Sequence, residues 1–247
     1  MSEAESSPAH VRDLLASVDA RFAAGRTVPD WPDPLADPSA AAGRREAREE
    51  EYSRVSHPER YAIIGERVDA WVAELTDRGL ADVAESTPPR TLPVGHPDEG
   101  GDGWLLIPRV SLTRVRVLRP RRDGALPLVL GTAPFVEDPG ESLVVATGDP
   151  FVELVLVPDC GCDACDSGSA DLLRWLDESL LPVVDGSLRV HVEGGTTRVA
   201  SAGTASSSTA NGREARERTR ALGRRAHEYA GLPWDARWPE RSPHPYI

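Results

Sequence analysis

Arg114-Val115-Arg116-Val117-Leu118 and, after Asp123-Gly124, Leu126-Pro127-Leu128-Val129-Leu130 decide the fold. In the first stretch charged and apolar residues alternate, the period of a strand with two unlike faces. Asp-Gly between two such runs is a hairpin signal, because both residues tolerate the turn's positive φ. Working outward, runs at 104–107, 110–118, 126–130, 142–147 and 151–157 read as strands. Short connections between successive strands predict an antiparallel meander. Phe151 to Val157 is nearly all apolar, broken only by Glu153, and is expected to be a central strand.

The flanks switch to a period of 3.6. Val11, Leu14, Leu15, Val18 and Phe22 predict a short amphipathic helix over 9–24, ended by Gly25. Tyr61, Ile64, Val68, Trp71, Val72 and Leu75 form one stripe of a helix over Pro58–Arg78, stopped by Gly79. Ser56 and Glu59 have capping-box spacing at its start, with Pro58 in the first turn. Leu172, Leu173, Leu176, Leu180 and Leu181, with Trp175 alongside, predict another helix, and Asp171 suits its first turn. Leu188, Val190 and Val192 alternate with Arg189, His191 and Glu193, a strand with one face in water. The Ser-rich stretch 201–212 reads as a linker, and 213–230 as an Arg-rich helix.

The expected class is α+β: one antiparallel sheet of about five or six strands, helices packed on one face, and extended Pro-rich ends. Three segments follow: an N-terminal helix and Pro-rich arm at 1–45, a single α+β domain at 46–200, and a tail at 201–247. The tail holds the Ser-rich linker, the Arg-rich helix and a Trp/Pro end.

Composition sets the outer limits. The chain has 247 residues and a formal net charge of −12, with 40 % hydrophobic and 28 % charged residues. Mean hydropathy is −0.36. Every basic residue is Arg, which reads as codon bias. Acidic balance argues against nucleic acid as a partner, since phosphate contacts need clustered cations. No apolar run approaches bilayer length, and Met1 to Pro8 is polar and acidic, unlike a signal peptide. A cytoplasmic protein with reduced thiols is expected.

The sharpest chemical feature is Pro158-Asp159-Cys160-Gly161-Cys162-Asp163-Ala164-Cys165-Asp166. Cys-x-x-Cys lets two sulfurs reach one Zn²⁺, and Cys160 is a third thiol nearby. A fourth ligand would come from Asp166, His191, His57, His96 or His227. The alternative is a thiol–disulfide pair, Cys162 and Cys165, between a strand and a helix. The meander order opposes it, as do Asp159, Asp163 and Asp166, whose charge raises thiol pKa. The bland reading is a tight turn with small Cys side chains packed beneath it. The Asp spacing does not match an EF-hand.

Three further features have structural readings beside functional ones. Arg109, Arg114, Arg116, Arg119, Arg121 and Arg122 make either an anion site or a solvated face paired with acids. Six Arg between 213 and 225 fit an exposed, salt-bridged helix better than a nucleic-acid contact. Trp31, Trp234 and Trp238, beside prolines near the ends, either bind a protein partner or fold back as anchors. GxSxG, HExxH, Walker and GxGxxG patterns are absent.

Tyr52-Ser53-Arg54-Val55 with Pro58-Glu59-Arg60-Tyr61, together with the Cys160–Asp166 run, resembles an uncharacterised actinobacterial family of unknown function. The resemblance spans roughly residues 50–190, a single-domain length. It implies a bacterial cytoplasmic origin and one shared domain, and carries no mechanism. The two motifs are expected to sit near each other. The functional expectation is a soluble, non-enzymatic protein that binds a partner or a structural metal ion. Zinc, if present, would sit on Cys160, Cys162, Cys165 and Asp166.

Overall fold

The computed structural model describes residues 8–86, 112–134, 141–149, 151–193, 196–201, 204–209 and 226–240. The expected strand at 104–107 and the Arg-rich stretch 213–225 lie outside these residues. The architecture is α+β.

Five strands form the meander: β1 (Ala81–Ser86), β2 (Arg114–Pro120), β3 (Leu128–Pro134), β4 (Glu141–Thr147) and β5 (Val152–Val157), in the order β1-β2-β3-β4-β5. All pairs are antiparallel. The alternation read from Arg114 onward sorts the two faces. Leu118, Leu128, Leu130, Leu143 and Val145 join the core beneath the helices, while Val115, Val117, Val129 and Val144 belong to a separate cluster on the other face. The helices α2 (Ile63–Asp77) and α3 (Ser169–Val184) cover the first face. Helix α1 (Ala9–Gly25) packs on α2 through Leu14, Val18 and Phe22.

Two expectations change. Strand β5 is at the edge of its sheet, and the central strands carry the fully buried Val129, Val144 and Val145. An apolar run reports cover on both faces, not pairing on both sides, and α3 packs over β5. There are also two sheets rather than one. Strands β6 (Arg189–Glu193), β7 (Thr196–Ser201), β8 (Thr204–Thr209) and β9 (His227–Ala230) form the second, in the order β8-β7-β6-β9. The stretch read as a linker therefore carries β8, and the last residues of the expected third helix are strand. Small Ser and Thr side chains leave no period to read. At 227–230 pairing with β6 overrides local helix preference.

The chain ends run back over α3. Gly168, its N-cap, has φ 87, and a Cβ there would lie 2.7 Å from the Asp33 backbone N. Gly186, just past its C-terminus, has φ 71, and a Cβ would lie 2.4 Å from the Pro233 N. Two crossings of this closeness need residues without side chains. The N-terminal arm is fixed there by Ser169 N–H to the Trp31 carbonyl at 3.1 Å. The C-terminal segment is fixed by Trp234 N–H to the Val184 carbonyl at 2.9 Å and Trp234 Nε1 to the Leu126 carbonyl at 3.0 Å. Trp234 is 2 % exposed and Trp238 is buried against His10, rings stacked at 5.0 Å. Of the two readings of Trp31, Trp234 and Trp238, the fold-back one is seen: all three pack onto the domain.

Among the described residues no helix is long and apolar enough to cross a membrane.

Candidate metal centre

The three cysteines occupy the loop between β5 and α3. Their sulfurs lie within 4.8 Å of one another, and Cys160 Sγ to Cys162 Sγ is 3.2 Å. None is in a disulfide; Cys162 is buried, while Cys160 and Cys165 are exposed. Zn–S bonds of about 2.3 Å at tetrahedral angles put sulfurs about 3.8 Å apart. One separation is below that value and all are under 4.8 Å, so small side-chain rotations would close the set on an ion. Among the described residues no other group of three Cys, His, Asp or Glu gathers its donor atoms in this way.

The loop is held from outside by the other motif. Arg54 Nε donates to Asp163 Oδ2 at 2.6 Å, and the Ser56 hydroxyl donates to the same oxygen at 2.6 Å. Ser56 N–H reaches Asp163 Oδ1 at 2.9 Å. In return Asp163 N–H donates to the Arg54 carbonyl at 2.8 Å and Ala164 N–H to the Glu51 carbonyl at 3.1 Å. Tyr61 OH donates to the Gly161 carbonyl at 3.3 Å. Arg60 pairs with Asp166, and its guanidinium lies 5.2 Å from the Trp31 ring centroid and 5.5 Å from that of Tyr61. The two motifs are one docked unit, as expected from the sequence.

That docking replaces the expected cap. Ser56 does not cap the helix; His57 is at the N-cap position, and no side chain bonds there. The first turn, Pro58–Ala62, is a 3-10 turn before α2 begins. Asp163 competes for the Ser56 hydroxyl and wins, because a buried carboxylate left unbonded costs more than an exposed helix end.

Asp166 was a candidate ligand. Its carboxylate pairs with Arg60, accepts Trp31 Nε1 at 3.0 Å, and accepts Gly168 N–H at 2.8 Å. Those partners account for its lone pairs within the protein. Among the described residues the candidate histidines do not join the sulfur cluster. His57 lies 3.5 Å from Glu59, and His191 on β6 lies 3.4 Å from Glu228 and 3.6 Å from Glu193. His227 is on β9, and His96 is outside the described residues.

The thiols differ in acidity. Burial first, and the side-chain bond with Cys162, raise Cys160 against the opposing bonds from the Cys162 backbone and the Cys165 thiol. Burial and donation toward its two neighbours push Cys165 up to about 12. Burial also opposes ionisation of Cys162, but hydrogen bonds from Cys160, Cys165 and the backbone outweigh it and hold that thiol below its ordinary value. Asp163 and Asp166, expected to suppress the thiolates, are turned to Arg54 and Arg60 instead. The closest sulfur pair is Cys160 with Cys162, not the Cys-x-x-Cys pair, and Cys165 is a poor nucleophile at so high a pKa.

The anchoring carboxylates make the docking acid-labile. Arg45, then the Arg48 N–H, lower Glu51 to about 2. Asp163 is lowered too, its Ser56 and Arg54 partners overcoming burial. A carboxylate with a depressed folded pKa stabilises fully above its unfolded pKa, and that stabilisation fades as pH falls through the folded value. Stability therefore declines between about pH 4 and pH 2, and Asp163→Asn flattens part of that decline. Urea unfolding at several pH values checks it; a profile flat across that range would contradict the account.

Of the six Arg read as a possible anion site, Arg109 lies outside the described residues, and Arg116, Arg121 and Arg122 are in ion pairs. Arg116 binds Asp69 at 2.5 Å, Arg121 binds Asp82 at 2.7 Å, and Arg122 binds Glu240 at 2.9 Å. Beside the loop, a cleft of about 210 Å³ is lined by Arg45, Arg54 and Arg60. Each already holds a carboxylate, so the cleft has no surplus charge for an anion.

The carboxylate anchors were missed in the sequence because Asp163 and Asp166 were read with the thiols rather than with Arg54 and Arg60. The available signal was the pairing of two acids in one motif with two Arg in the other. No curated protein and no solved structure matches the chain. Residues 18–242 match the model of a family of unknown function, DUF6226, and the chain belongs to that family.

Proposed function

We propose that this chain is a zinc-binding protein whose ion is held by Cys160, Cys162 and Cys165. The observation that carries the reading is the gathering of three unbridged sulfurs within 4.8 Å on a loop pinned by a second segment. Soft thiolates select zinc over oxygen-loving cations. Cys162 is the pivot, being the buried one of the three. Bound zinc would tie residues 160–165 together, and through Asp163 it would reinforce the contact with 54–61. Asp166 serves as an anchor for Arg60 and Trp31 in this reading, not as the fourth ligand. The reading assigns the loop a binding and stabilising role, and cytoplasmic location fits its reduced thiols.

Cys162→Ser should lose the ion and lower the midpoint of thermal unfolding to that of the chelated wild type. A chelator should then have no further effect on the variant. Equal zinc in variant and wild type after exhaustive dialysis would refute the assignment.

A further inference from the structure

Resting on the zinc reading, we infer that Cys160 and Cys162 are an oxidation site: hydrogen peroxide joins them in a disulfide, and the ion is released. The two sulfurs are 3.2 Å apart and unbridged. A disulfide bond is about 2.0 Å long, so closure needs an approach of about 1.2 Å. Only Gly161 separates the two in sequence, and its carbonyl is held by Tyr61 OH at 3.3 Å. The pair divides the work by exposure. Cys160 is exposed and meets an oxidant from solvent, while Cys162 is buried and shielded from direct attack.

A metal-held thiol is already deprotonated. The Cys160 thiolate attacks one peroxide oxygen, the O–O bond breaks, and the other oxygen leaves as hydroxide, which takes a proton from solvent. Cys160 is then a sulfenic acid, the rung that condenses with a neighbouring thiol. The Cys162 thiolate attacks the sulfenic sulfur, the S–O bond breaks, and a second hydroxide leaves and is protonated. Two thiolates have lost two electrons, and one peroxide has become two waters. The thiolate is the metal ligand, so the sulfurs of the disulfide let go. The Cys165 sulfur alone is too small a set for zinc. The loop survives the exchange because its anchors are carboxylates: Asp163 with Arg54 and Ser56, and Asp166 with Arg60 and Trp31. A disulfide with an exposed sulfur is of the reducible kind, and the reduced loop reloads.

Titration of the zinc-loaded full-length protein with hydrogen peroxide tests this. A chromophoric chelator reports free zinc, and alkylation with peptide mass mapping reports free thiols. Stoichiometric peroxide should free the ion, lower the mass by two hydrogens and leave Cys165 as the alkylated thiol. Dithiothreitol and added zinc should restore the starting state. Cys160→Ser should release zinc at least about tenfold more slowly, since access to the thiol sets the rate. A disulfide between Cys162 and Cys165, or oxygen added to the thiols that dithiothreitol does not remove, would overturn the inference. Release from Cys160→Ser at the wild-type rate would overturn it too. Protein that takes up no zinc at the outset would instead defeat the zinc reading beneath it, and the thiol map of that sample would still decide whether Cys160 and Cys162 pair.

Discussion

Replacing Arg67 with alanine lowers the unfolding free energy by about 3 kcal/mol or more. Its side chain is 4 % exposed and is the hub between three helices. Nε and Nη2 donate to the two oxygens of Asp177 at 3.0 and 2.6 Å, and Nη2 also lies 2.7 Å from Asp19 Oδ1. Trp71 Nε1 donates to Asp177 at 2.7 Å, and the guanidinium lies 5.3 Å from the Phe22 ring centroid. Alanine removes the packing and leaves the Asp177 carboxylate without its counter-charge. Breaking one half of such a pair costs more than the pair itself contributes, because the remaining charge stays desolvated. Lysine should rescue little, since an ammonium cannot make the two-pronged contact and lie flat on Phe22. Urea unfolding of both variants checks this. A loss below about 1 kcal/mol would place the pair among solvated surface bridges.

Gly186→Ala should cost about 2–4 kcal/mol. Alanine is strained at φ 71, and its Cβ would lie 2.4 Å from the Pro233 N and 2.6 Å from the Leu232 carbonyl carbon. Both neighbours are backbone, so relief requires lifting the C-terminal segment off α3. That lift exposes Trp234, and intrinsic fluorescence should shift red before the main transition. Gly79→Ala is the control. It has φ 68, but the nearest atom to its Cβ is Arg121 Nη1 at 3.7 Å. It should cost only the conformational term, about 1 kcal/mol. Equal losses in the two variants would show that the crossing at Pro233 carries no weight.

Periodic segments were legible in the sequence for a physical reason. Leu14, Val18 and Phe22, or Leu172, Leu176 and Leu180, recur at the helical period because one face must be buried. The strands β2 to β5 were legible because Asp123-Gly124 and the alternation from Arg114 agree. Strand β1 has no such signal: after Ala81 it is exposed, and its pairing with β2 is a register that its own residues do not announce. The second sheet was hidden for a similar reason, as β8 is built from Thr, Ser and Ala and β7 adds to these only Arg198 and Val199. Long-range pairing, which no local window contains, decides β1 and β9, while β6, β7 and β8 are joined by two-residue connections without an Asn-Gly or Asp-Gly signal.

The candidate site was half legible. Three thiols in six positions are visible to any reader, and the structure gathers them. What holds them was not visible, because Arg54 to Asp163 spans 109 positions in the chain. Trp31 was ambiguous by sequence alone; Asp166 and Ser169, far along the chain, claim it.

The central claim is tested most directly by metal content. Elemental mass spectrometry and a free-thiol count would be run on one sample of untagged, freshly purified protein. The account predicts about one zinc per chain and thiols that resist modification until a chelator is added. A metal-free protein with all three thiols freely reactive would contradict it and leave the loop as a tight turn docked by Arg54 and Arg60.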